Sequence, residues 1–370
     1  MVKKSAILLI FIFLWVQCSK SPDNGVDILE LKDPVKKIPL KFELVQSTPI
    51  ENLDYPTMYV NQNEIGVYGF VIKGKNGVGV CRFDHGFNPK EEIYFPFGQG
   101  PGDVGAGTRF YPIKGRLMSY DNTTKLFTYY DENLKYQKMQ RGLKPINPFY
   151  FFKNGDYCVS SGWREKRNKE YKIINITKFP SLISKPIHEY GPVIYDEKRI
   201  IARDPGYDYF YSDKTGWVYV LNMAEYRLMA FDLNGKMVKQ IKVKTKKIKI
   251  SHEEQFKYVE EYLTSWGVRN HYRFCEIVQP ASLMVPLDKG FVVIRRIDWR
   301  RHSESGFIDG DLFDYRLNLL GKVKIPEFYK CYYTANMLPS PHTSCYFNGY
   351  LYLIKETDDD YRLEKWKVVE

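Results

Sequence analysis

Residues Arg109 to Gln140 read RFYPIKGRLMSYDNTTKLFTYYDENLKYQKMQ. Three turn signals cut this stretch into four short runs: Lys114-Gly115, Asp121-Asn122 and Asp131-Glu132-Asn133. Within each run, Tyr, Phe, Leu and Met fall at near-alternate positions among polar residues, which is the period of a half-buried strand. A second copy runs from Tyr207 to Val243, YDYFYSDKTGWVYVLNMAEYRLMAFDLNGKMVKQIKV. Thr215-Gly216 stands where the first copy has Lys114-Gly115, and Phe231 to Gly235 stands where it has Tyr130 to Asn133. Four short antiparallel strands repeated in this way make the blade of a β-propeller.

Four further strand pairs follow the same plan: Pro56 to Phe70, Pro148 to Ser160, Pro280 to Ile294 and Pro341 to Ile354. Six units therefore begin near residues 56, 109, 148, 207, 280 and 341. The expected fold is an all-β, six-bladed β-propeller over residues 37–370. Aromatic residues are 16% of the chain, among them 30 Tyr and 23 Phe, and these favour pleated strands. The last unit holds only three strands, Thr343 to Phe347, Tyr350 to Glu356 and Tyr361 to Val368. A ring that left a blade short would expose a sheet edge. Ile38 to Val45 (IPLKFELV) alternates and is expected to supply the missing outer strand, so that one N-terminal strand closes the ring.

One segment departs from the strand period. Ser251 to Trp266 (SHEEQFKYVEEYLTSW) sets Phe256, Val259, Tyr262 and Leu263 on one helical face, with Ser251 and Glu254 as a capping box. This predicts a helical insertion at about residues 246–279, between the fourth and fifth blades. Just before it, Lys242, Lys244 and Lys246 alternate on the expected outermost strand, where lysines discourage edge pairing.

The N-terminus gives an address. Two lysines precede an apolar run from Ala6 to Val16, followed by Cys18 and the polar stretch Ser19 to Asn24. The run suits a signal-peptide core and is short for a membrane span. The layout resembles a bacterial lipoprotein signal, with residues 1–17 removed, Cys18 lipidated, residues 18–36 a linker, and the protein anchored at the outer membrane of the cell envelope. Gln17 and Trp15 depart from the usual residues of such a signal. The formal charge is +11; loss of Lys3 and Lys4 with the leader leaves +9. A basic surface suits anionic partners, but an exported chain is not expected to meet nucleic acid. Five cysteines remain beside Cys18, namely Cys81, Cys158, Cys275, Cys331 and Cys345. An odd number cannot pair completely, so buried free thiols are expected, with a Cys331–Cys345 bridge as the alternative.

Phe97 to Val104 reads FGQGPGDV, after an aromatic strand and before the second blade. This resembles the Gly-x-Gly-Pro-Gly-acidic stretch of six-bladed β-propeller lipoproteins of the Bacteroidetes, a family largely of unknown function. In architecture that family is similar to the NHL and TolB-like propellers, which implies recognition of a protein, peptide or glycan. The resemblance brings no catalytic residues. Gly100, Gly102 and Gly105 also satisfy G-x-G-x-x-G, but Pro101 intrudes and no helix follows to hold a pyrophosphate. These glycines are expected to supply positive φ angles in a tight loop.

No zinc-ligand spacing, G-x-S-x-G elbow, P-loop or calcium loop occurs. No cofactor or metal is expected. Asp358-Asp359-Asp360 reads as a hairpin turn of the last blade, and Arg295 to His302 as a basic hairpin tip. Propellers gather the loops that lead into their innermost strands at one mouth of the central channel, and ligand sites are concave. Arg109, Asp208 and His342 hold such positions in the second, fourth and sixth blades, and Tyr207 could stack on a sugar or peptide plane. These four residues are the expected ligand site of a binding or scaffolding propeller. The competing expectation is a lactonase-like hydrolase or lyase, whose channel metal needs inward Asp, Glu, Asn or His. The innermost strands here open mostly on Pro, Thr, Phe, Ser and Tyr.

Overall fold

The computed structural model describes residues 27–30, 40–71, 76–98, 100–105, 108–113, 116–121, 124, 126–141, 147–152, 155–179, 181, 183–191, 206–245, 281–295, 306–328, 343–357 and 360–369. Two N-terminal strands, β1 (Asp27–Glu30) and β2 (Lys41–Ile50), precede six units. The first is β3 (Leu53–Val60), β4 (Ile65–Val71), β5 (Gly77–Phe83) and β6 (Pro89–Pro96). The second is β7 (Thr108–Ile113), β8 (Arg116–Asp121), β9 (Leu126–Tyr130) and β10 (Tyr136–Arg141). The third is β11 (Asn147–Phe152), β12 (Tyr157–Lys166), β13 (Lys169–Lys178) and β14 (Ile183–Tyr190). The fourth is β15 (Tyr207–Ser212), β16 (Trp217–Asn222), β17 (Arg227–Phe231) and β18 (Met237–Lys244). The fifth is β19 (Ala281–Pro286), β20 (Gly290–Arg295), β21 (Phe307–Asp314) and β22 (Leu319–Pro326). The last is β23 (Ser344–Phe347), β24 (Tyr350–Glu356) and β25 (Tyr361–Val369). Six sheets result, and the described residues contain no α-helix.

Each junction between neighbouring blades has an apolar filling. Phe110, Leu117 and Tyr130 meet Tyr68 and Phe95 between the first and second blades, and Phe127 meets Cys158 and Phe179 between the second and third. Val159 and Ile174 meet Tyr209 and Val220 between the third and fourth. One larger cluster joins the fourth, fifth and sixth blades, and Leu53 and Val67 meet Ile354 and Leu363 where the sixth returns to the first. The innermost strands abut in turn, β15 on β19, β19 on β23, β23 on β3 and β3 on β7. A strand between two neighbouring blades is buried on both faces, so every residue of β15 is buried, whereas β10 on the rim is largely exposed.

One turn recurs between the third and fourth strands of four blades. Its first residue is Asp84, Asp131, Asp232 or Asp314, whose backbone N–H donates to the carbonyl four residues on. The aspartate carboxylate accepts the N–H of that same later residue, as in Asp131 Oδ1 with Lys135 N at 2.9 Å and Asp314 Oδ1 with Asn318 N at 2.8 Å. The residue in between has positive φ: Phe87, Leu134, Gly235 and Leu317. The side chain thus satisfies donors that the turn leaves without a strand partner. Charged contacts tie the first blade to the second. Arg82 Nε donates to Glu64 Oε2 at 2.7 Å, and Arg82 Nη2 donates to the Glu132 carbonyl at 3.1 Å.

β2 lies antiparallel to β25, from Lys41 opposite Val369 to Ile50 opposite Tyr361, with a register shift between Leu44 and Gln46. The strand starts and ends later than residues 38–45. β1 falls inside the segment expected as a linker and pairs in parallel with β18, Asp27 opposite Ile241 and Glu30 opposite Lys244. This corrects the reading of Lys242 and Lys244 as an outermost edge. The outer side of β18 still offered N–H and C=O groups, and four residues of the N-terminal chain supply their partners. Arg295 also departs from expectation. It ends β20, and its Nε donates at 2.5 Å to Asp311, a fully buried carboxylate that also accepts Tyr226 OH at 2.6 Å. The helical insertion, Arg296 to His302, and Cys18 lie outside the described residues. Asp360 does close the turn between β24 and β25, its carbonyl accepting Thr357 N at 2.8 Å.

Candidate functional site

The chain leaves β6 and folds back on itself before β7. Gly98 N donates to the Val104 carbonyl at 3.2 Å, and Val104 N to the Pro96 carbonyl at 3.0 Å. At the tip, Asp103 N donates to the Gly100 carbonyl at 3.1 Å, closing a four-residue turn with Pro101 and Gly102 at its centre. Gly102 has φ of 90°, so this is the type II pattern that Pro followed by Gly favours. The Asp103 carboxylate then reaches back to accept Gly100 N at 2.8 Å, locking the turn it follows. The glycine expectation is corrected in part. Only Gly102 of this stretch needs positive φ. Gly98 and Gly105 are there for close approach, since an added methyl would overlap the carboxylate of Asp103 at one and of Asp121 at the other.

This loop covers a polar face of the second blade. Thr108, Asp121, Leu126 and Arg141 form one row across β7 to β10, because they are paired in register. Ser119, Thr128 and Met139 form the next row on the same face. Between loop and sheet lies a cleft of about 530 Å³, lined by these seven residues together with Gly98, Gly100, Asp103, Gly105 and Thr124. Its floor is fixed. Gly105 N donates to Thr108 Oγ1 at 3.0 Å, Thr124 Oγ1 donates to Asp121 Oδ2 at 2.6 Å, and the Ser119 and Tyr130 hydroxyls lie 3.2 Å apart. Ser119 and Thr128 are each 3% exposed. Burial pushes the Tyr130 phenol up to about 12, which keeps its proton on the hydroxyl under this floor. At the rim, the Arg141 side chain is exposed and makes no hydrogen bond or ion pair among the described residues. The cleft therefore presents two carboxylates, several hydroxyls, one available guanidinium, and an apolar strip of Leu126 and Met139.

The residues expected as a site are placed differently. Tyr207 and Asp208 are neighbours on β15 and point to opposite sides. Tyr207 is 5% exposed and lies among third-blade residues, its ring edge-on to His188 at 5.8 Å with the Lys172 ammonium 5.7 Å from its centre. Asp208 faces the fifth blade, where its carboxylate accepts Met284 N at 2.6 Å. Burial pushes this carboxyl up to about 7, against the two backbone N–H groups that favour its ionised form. Arg109 is half-buried, with Nη1 enclosed and without a hydrogen-bond partner among the described residues. Its charge is felt by the Tyr209 phenol, which burial raises well above its ordinary value. His342 lies outside the described residues. The cleft was missed, although it carries a signal: Ser119, Asp121 and Thr128 interrupt runs of otherwise apolar strand residues.

Cys81, Cys158 and Cys345 are free thiols, so Cys345 forms no bridge. Burial pushes Cys158 and Cys345 up to about 12, so neither is a ready nucleophile. Among the described residues no three carboxylate, imidazole or thiol groups gather as donors for one metal ion.

Fold and cleft together define a six-bladed β-propeller with a polar recess on one blade. Two solved structures share this architecture. One is a member of the DUF4221 family from Bacteroides vulgatus, 12% identical, with a TM-score of 0.55 over 89% of this chain and 98% of that one. The other is from Bacteroides fragilis and is named as an exported protein, 9% identical, with a TM-score of 0.53 over 94% of this chain and all of that one. At such identity the likeness is one of fold. No protein-family model and no curated protein matches the chain.

Proposed function

We propose that this chain is a binding propeller of the bacterial cell envelope, lipid-anchored through Cys18, with its recognition site in the cleft beneath the Gly-Pro-Gly turn. The observation that carries the reading is the cleft itself. A turn locked by its own aspartate is held over buried hydroxyls, and at the rim stands an arginine whose side chain has no partner among the described residues. Small-ligand sites are concave volumes of roughly 300–1,000 Å³ in which a few fixed polar groups set the ligand's orientation. The leader-like residues 1–17, and the name of the Bacteroides fragilis structure as an exported protein, support the envelope address. Pairing of β2 with β25 supports a ring closed by the N-terminal strand. Arg109 and Asp208 belong in this reading to the body of the ring, and the Gly-Pro-Gly loop takes the role first given to them.

The test is capture from envelope extracts on immobilised protein. Arg141→Ala removes an exposed side chain that has no partner among the described residues. It should leave the melting temperature unchanged and deplete whatever wild-type protein retains. Equal retention by wild type and variant would refute the cleft as the site.

A further inference from the structure

We infer that the cleft takes a neutral saccharide, held by its hydroxyl groups. The inference rests on the reading of the cleft as the recognition site and adds the chemistry of the ligand. The lining asks for a ligand whose polar groups both donate and accept. Asp103 and Asp121 accept and Arg141 donates, while Thr108, whose oxygen accepts from Gly105 N, keeps a proton to donate, and Thr124, whose proton goes to Asp121, keeps a lone pair to accept. A sugar hydroxyl does both at one atom and answers every part of this set. An anion such as a phosphate would face two carboxylates with one guanidinium to offset them. An extended peptide normally gains affinity by pairing its backbone with a free sheet edge. The floor of the cleft is a sheet face, where β8 and β9 are each paired on both sides and leave no backbone group to a peptide, although β10 at its rim is an outer strand. Apolar contact is available for the C–H faces of a sugar ring. Leu126 and Met139 lie in the lining, and Tyr136, 39% exposed, lies beside the turn, its Cβ 3.5 Å from where a side chain on Gly102 would begin.

The experiment uses the full-length protein in detergent and isothermal titration with lactose, maltose, cellobiose and chitobiose. At least one should bind. Arg141→Ala, and Asp121→Asn, whose amide oxygen can still accept from Thr124, should each weaken binding by about tenfold, the loss of one hydrogen bond to a charged group. No binding by any of the four, or equal binding by wild type and both variants, overturns the saccharide assignment. A parallel arm treats envelope extract with periodate, which cleaves vicinal diols, before capture. Capture that survives periodate yet is lost in Arg141→Ala removes the saccharide and leaves the cleft as a site for another ligand. Capture that Arg141→Ala does not change removes the site reading as well.

Discussion

Replacing Asp208 by asparagine should change how stability depends on pH, and the structure gives sign and size. Burial between the fourth and fifth blades raises this carboxyl to about 7. In the unfolded chain it titrates near 3.9. Between those values the folded protein holds a proton that the unfolded chain has lost, so the contribution of Asp208 to stability is fully present below about pH 4 and is lost as pH rises towards 7. A rise from about 4 to about 7 corresponds to about 4 kcal/mol. His188 works in the opposite sense. Burial, and then the Arg227 charge, lower it to about 4 from an ordinary 6.5, so its contribution is present above 6.5 and lost as pH falls towards 4. The imidazole is only half-buried, so this is at most about 3 kcal/mol. The two slopes oppose each other, and the wild-type curve should be nearly flat between about pH 4 and 6.5. Asp208→Asn removes one slope and keeps an oxygen for Met284 N–H. Urea denaturation across this range should then show stability rising with pH by up to about 3 kcal/mol. His188→Leu should show the reverse, a fall towards pH 7. If the profile of Asp208→Asn matches wild type, no buried carboxyl titrates in this window and the placement of Asp208 against Met284 is wrong.

The other predictions concern turns, loop and termini. Asp314→Ala removes the acceptor for Arg316 N and Asn318 N and should cost about 1–2 kcal/mol in chemical denaturation. Gly105→Ala drives a methyl into the Asp121 carboxylate and should cost about 1–3 kcal/mol. Gly162→Ala, where nothing lies within 4 Å, should be neutral or slightly stabilising, so equal effects at the two sites would contradict the loop geometry. A chain starting at Leu40 loses only β1 and should melt close to wild type, whereas one starting at Glu51 also loses β2 and exposes the edge of β25. Equal melting temperatures for the two would show that β2 does not hold the ring. Cys18→Ala should move the protein from the membrane to the soluble or unprocessed fraction, and unchanged membrane fractionation after processing would remove the lipid anchor.

The strands and the number of blades were readable from the chain because they rest on local chemistry. Alternation, Gly turns and Asp-led turns act over a few residues, and Arg109 to Gln140 carries all of them. The same locality made β24 legible to the residue. The Gly-x-Gly-Pro-Gly-acidic stretch could be picked out as special for the same reason, although its chemistry could not be stated. What the loop does was decided by tertiary structure alone. Asp103 and Asp121 line one cleft only because the chain between the first two blades folds back over the sheet that follows. Tyr207 and Asp208 look equivalent along the chain, yet the pleat sends one to the third blade and the other to the fifth. β1 shows the limit most plainly. Four residues near the N-terminus pair with a strand more than 200 positions away. Nothing local in Asp27 to Glu30 encodes that partner, because a sheet edge accepts backbone groups, which every residue carries alike.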